Sequence, residues 1–63
     1  MIIDGQFIFE VGDPVTDHTD AARRVGFVIA IEQDEVGEKV LLVEDEGRTG
    51  RTWRILDRDA ILP

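Results

Sequence analysis

Two short stretches constrain this chain more than any other feature: GFVIAI at residues 26–31 and VLLV at residues 40–43. Both are rich in branched aliphatic side chains and bounded by glycine or charged residues, so both read as β-strands. Neither alternates apolar with polar. A strand in a small antiparallel sheet shows one apolar face and one wet face. These two strands therefore carry apolar side chains on a face that a single core does not need. If Val28 and Ala30 point inward, Phe27 and Ile29 point outward, and Ile31 follows them unless a bulge turns it back. The opposite phase exposes Val28 and Ala30, and the same choice sets Val40 and Leu42 against Leu41 and Val43. In either phase, neighbouring strands present an apolar patch outside the core. Two covers are available: an N-terminal hairpin carrying Ile2, Ile3, Phe7, Ile8 and Phe9, or another subunit.

A chain of 63 residues makes a single domain, 1–63, and is marginal in size for a self-sufficient core. It contains no cysteine, so neither a disulfide framework nor a thiolate metal site can reinforce it. Residues 1–10 read as an N-terminal arm or hairpin turned by Asp4-Gly5, with Phe7, Phe9 and Val11 on one side of a strand. Gly12-Asp13 makes a turn, and Pro14 suits a strand start or an edge because it lacks an N–H donor. Residues 16–24 form a polar loop with one helical turn expected at Thr19 to Arg23. Two further strands follow, 39–44 and 51–56, the latter with Trp53 and Ile55 on one face and Thr52 and Arg54 on the other. The segment DRDAIL closes the chain as a helical turn and a short last strand. Short strands, glycine-bearing turns and almost no helix predict an all-β fold, a small five-stranded barrel.

The order of these segments resembles the small SH3-like β-barrels of the KOW and Tudor-like type. The resemblance rests on Gly12, Asp13 and Val15; on Gly26, Val28 and Ile31; on Val40 to Val43; on Asp45 and Gly47; and on Leu56 to Ile61, and it spans residues 9–62. It implies a five-stranded SH3-like barrel with the N-terminal arm added, and it admits contact with nucleic acid. The aromatic cage with which Tudor-like domains read methylated side chains does not carry over. Only Phe7, Phe9, Phe27 and Trp53 are aromatic, and there is no tyrosine.

The chemistry-bearing residues argue against an enzyme. His18, the only histidine, lies on a polar loop without the companion ligands of a metal site. Asp57 and Asp59 flank Arg58 and read as ion-pair or capping residues rather than a catalytic carboxylate pair. EGRTGRTW lacks the glycine spacing and the lysine of a phosphate loop, and it leads into a strand. No cofactor, metal or small-molecule substrate is expected.

Arg48, Arg51, Arg54 and Arg58 gather around Trp53, a combination that suits phosphate contacts and base stacking. Fourteen acidic against seven basic residues give a net charge of −7, which disfavours nucleic acid and interleaves acids with these same arginines. The acids scatter over most loops, which also argues against an acidic mimic of DNA. No run is long enough to span a membrane, and the N-terminus lacks the basic region of a signal peptide, so a cytoplasmic setting, or a virion for a phage-encoded chain, is expected. The sequence thus favours a non-catalytic interaction or structural subunit, self-associating or docked into a bacterial complex or phage particle. Its interface residues would be Phe7, Ile8, Phe9, Phe27, Ile29, Leu41 and Val43. Arg48, Arg51, Trp53, Arg54 and Arg58 would set register and specificity at the rim of that interface, or, in the alternative, serve a nucleic-acid-associated barrel.

Overall fold

The computed structural model describes the backbone of residues 2–3 and 5–63, and the side chains of all of these except Ile3 and Gln6. The fold is all-β. A hairpin of β1 (Ile2–Ile3) and β2 (Gln6–Phe7) precedes a five-stranded antiparallel sheet. That sheet contains β3 (Pro14–Asp17), β4 (Val25–Gln33), β5 (Lys39–Asp45), β6 (Thr52–Leu56) and β7 (Ala60–Ile61), ordered β6-β5-β4-β3-β7. The expected hairpin is present, with Ile2 opposite Phe7 and Gly5 at φ +78°; Asp4 lies outside the described residues.

The sheet is curled. β6 and β7 lie at opposite edges, which in a flat sheet would be roughly 19 Å apart at the usual strand spacing. Only the 3-10 turn Asp57–Asp59 separates them in sequence, and such a turn advances about 2 Å per residue. The edges must therefore approach each other. No ladder joins β6 to β7, so the expected closed barrel is corrected to an open, curled sheet. The short β7, which pairs with β3 only at Thr16–Ile61 and Asp17–Ala60, supplies too few positions to close it.

The core lies on the concave side and comprises Phe9, Val15, Val28, Leu41, Val43 and Ile55, with Phe7, Trp53 and Ala60 packed against it. The register settles the phase of β4, because residues directly opposite share a face. Val28 faces Val43, and both are core; Phe27 faces Glu44 on the convex side. The register then slips at Ile29, so Ile31 comes opposite the buried Leu41 instead of following Phe27 outward.

Among the described residues of the arm, the phenylalanines turn to the concave side rather than the convex face. Phe9 inserts into the concave core, and Phe7 meets it edge-on with ring centroids 4.7 Å apart. Val11 does not continue their row: the chain turns, with Asp13 N–H donating to Glu10 O and Gly12 at φ +98°, and leaves Val11 exposed. The polar loop is likewise non-helical. It consists of successive turns in which Asp17 accepts from the Thr19 N–H and Asp20 from the Ala22 N–H.

Gly26 permits the close approach of β4 to β5. A Cβ there would collide with Glu44 O and Val43 Cγ1, and the Glu44 backbone is held in the ladder. Gly26→Ala is expected to cost about 2 kcal/mol or more, the scale of overpacking in a tight core. Urea unfolding measures it directly; an unchanged midpoint would refute this packing.

Candidate functional site

The convex face answers which side chains the core leaves over. On β5 the surplus is covered from within. Val40 is buried, with Glu32 of β4 and Leu56 of β6 as its direct neighbours across the ladders. Arg54 Nε donates to Glu32 Oε1 at 3.0 Å, and the two side chains border one groove with Val40. Their aliphatic stems shield the strand while their charged ends stay wet. On β4 the surplus remains open: Phe27 is 38% and Ile29 40% exposed.

These two side chains share a groove of about 420 Å³ with Val11, Gly12, Val28, Glu44 and Arg48. Its apolar side chains come from β4 and the turn before β3, and its charges from β5 and the loop after it. Val11, 63% exposed, is placed there by the turn at Gly12, whose N–H donates to Val28 O at 2.7 Å. Arg48 sits at φ +53° in the hairpin between β5 and β6, its N–H donating to Asp45 O. The Asp45 carboxylate accepts from the Gly47 N–H and the Thr49 hydroxyl, and so shapes the loop that carries Arg48. Among the described residues, no carboxylate pairs with the Arg48 or Arg51 guanidinium.

The expected interface set is therefore divided. Phe27 and Ile29 lie on the open convex face. Leu41 and Val43 are fully buried on the concave side, which corrects their assignment to an outer patch, and Phe9 of the arm is buried with them, which corrects its place in the interface. The cause is the register: Phe27 and Val43 belong to adjacent pairs, hence to opposite faces. Phe7 and Ile8 are half-buried. Val11 and Glu44 complete the groove and carried no signal in the sequence, since a turn and a cross-strand pairing bring them there.

The arginine group is also divided. Arg54 pairs with Glu32 and Arg58 with Glu38, at 3.0 and 2.9 Å, while Lys39 lies 3.9 Å from Asp57. Trp53, half-buried on the core side, is capped by the Arg24 guanidinium 4.5 Å from its ring centroid. That stack occupies a ring face a base would need. Arg24 is 29 positions from Trp53 in the sequence, and only the path of the 17–24 loop joins them. The loop is fastened by Thr16, whose buried hydroxyl donates to Arg24 O at 2.7 Å, and by Asp20, which accepts from Arg24 Nε at 2.8 Å. His18 meets Asp59 at 3.2 Å, tying the same loop to the 3-10 turn.

Among the described residues no cluster of histidine and carboxylate side chains is grouped as a metal would require, and no helix is long and apolar enough to cross a membrane. Comparison of the chain with protein-family models, curated proteins and solved structures returns no match.

The hydrogen bond from Arg24, with those from the Ala22 and Arg24 N–H groups, holds the Asp20 carboxyl below its ordinary pKa. The unfolded chain then binds a proton more readily than the folded one. This contribution to stability is complete above the unfolded value, near pH 4, and is lost as pH falls through the lowered folded value. Asp20→Asn should accordingly weaken the protein at pH 7 more than at pH 3 in urea titrations. Trp53 emission should shift as the Arg24 stack loosens; an equal loss at both pH values would contradict the role given to Asp20.

Proposed function

We propose that this chain is a non-catalytic protein-interaction subunit that uses the convex face of β4 to associate with itself or to dock into a larger assembly. The observation carrying this reading is the open groove of Val11, Phe27 and Ile29. Contiguous apolar side chains at the surface of a small domain mark interaction sites. The mixed charges at its border, Glu44 and Arg48, would select the partner and set its orientation. An SH3-like architecture of the KOW or Tudor-like type is part of the proposal. Its supports are the return of β7 beside β3 and the 3-10 turn that feeds it.

The nucleic-acid alternative draws less support. Arg54 and Arg58 are engaged with acids, Trp53 is capped by Arg24, and among the described residues Arg48 and Arg51 alone in that group have no carboxylate partner. A bacterial complex and a phage particle are both settings for such a subunit.

The test is solution mass by light scattering over a concentration series, for the wild type and Ile29→Asp. Where the partner is a second copy, the wild type should self-associate and Ile29→Asp should reduce that association while the circular dichroism spectrum is retained. Salt-sensitive binding of single-stranded oligonucleotide, lost in Arg51→Glu and untouched by Ile29→Asp, would overturn it in favour of nucleic acid.

A further inference from the structure

We propose that the second half of β4 is an edge for strand addition, and that its occupant is β4 of a second copy of this chain, paired antiparallel about a two-fold axis at Ile31. The proposal rests on the protein-interaction reading above and specifies how contact is made. β5 pairs with β4 along nearly all of its nine residues, from Gly26 to Gln33. β3 covers the other edge only at Val25 to Phe27, extended by two bonds at Val28: Gly12 N–H to Val28 O, and Val28 N–H to Asp13 O. Among the described residues, no backbone bond reaches Ile29 to Gln33 from that side. Five consecutive residues thus present a bare edge, a template for another strand.

Charged side chains commonly guard such an edge. Here Glu32 is drawn away from it. Arg54, its partner at 3.0 Å, stands on β6 beyond β5, so the Glu32 carboxylate leans across the sheet and leaves Ile29, Ala30 and Ile31 along the free side. Ile31 faces the same side as the buried Leu41 yet is 43% exposed, because the core ends there.

The stretch is self-complementary. An antiparallel pairing centred on Ile31 uses all five free residues and sets Ile31 against its own copy, Ala30 against Glu32, and Ile29 against Gln33. No like charges face each other. Centring on Glu32 would oppose two carboxylates, and centring on Ala30 would run into the segment of β4 already covered by β3. The same register carries the acidic hairpin tip of the second copy past Val28 toward Gly12, where Arg48 borders the groove and pairs with no carboxylate among the described residues. Asp34 is committed to its own turn, accepting from the Val36 and Glu38 N–H groups, so Glu35 is the counter-charge that Arg48 would receive. The two-fold axis makes this contact twice.

Because the chain has no cysteine, Ile31→Cys carries a unique thiol. Opposed Cα atoms in an antiparallel pair lie about 4.5–5.5 Å apart, within the span of a disulfide. Mild oxidation of Ile31→Cys should give disulfide-linked dimer at least about tenfold faster than Val36→Cys, a control on the exposed hairpin tip. Equal rates would overturn the proposal. Sedimentation gives an independent readout if the cysteine variant folds poorly: the wild type should dimerise, Ile31→Lys should not, and Arg48→Glu should weaken the dimer with recovery in Arg48→Glu/Glu35→Arg. A wild type that remains monomeric throughout would overturn the paired edge while leaving docking to a different protein intact. Dimerisation that survives Ile31→Lys but not Phe27→Asp would also overturn it, placing the contact on the groove instead.

Discussion

The pairing of β4 with β5 is the constraint on which the rest of this structure depends. It is the longest ladder in the fold, and it slips only once, at Ile29. Before the slip it sends Val28 and Val43 into the core and Phe27 and Glu44 to the convex side. After it, Ile31 joins Leu41 and Ala30 joins Leu42. Gly26 allows the two backbones to approach closely where the ladder begins. A strand without alternation is thereby divided between two tasks: filling the core, and leaving a groove and an edge outside it.

The net charge of −7 has a structural cause of its own. Asp17, Asp20, Asp34 and Asp45 each accept a hydrogen bond from the backbone N–H two residues on, at Thr19, Ala22, Val36 and Gly47. These are turn-forming bonds for which aspartate is well suited. Much of the acidity is thus invested in loop geometry, with other acids bridging to Arg54, Arg58 and Lys39 across the sheet. That division explains why the acids form no single face, and why the arginines that look clustered in sequence are dispersed in space.

The all-β class, the N-terminal hairpin, the start of β3 at Pro14, the inward Trp53 and Ile55, and the closing helical turn and strand were legible because each depends on local residue pattern. Most of the misreadings were non-local. The placement of Leu41, Val43 and Phe9 in one core depends on a register that only cross-strand pairing fixes, since a shift of one residue reverses every side chain. Barrel closure depends on β7 length and sheet curl, which no local pattern reports. The Arg24–Trp53 stack and the Val11–Phe27–Ile29 groove join residues distant along the chain. The expected helical turn at Thr19 to Arg23 gave way to turns made by Asp17 and Asp20, which compete locally with helix formation.

This chain fills one core and has apolar surface to spare, and the two faces can be compared with the same substitution. Phe9→Ala and Phe27→Ala should be measured by urea unfolding at concentrations low enough to keep the protein monomeric. Phe9→Ala should lose about 3–5 kcal/mol, the cost of emptying a core position, and Phe27→Ala, at a half-open site, about 1 kcal/mol or less. Equal losses at the two sites would contradict this division, since the convex face would then belong to the core of the monomer and need no partner.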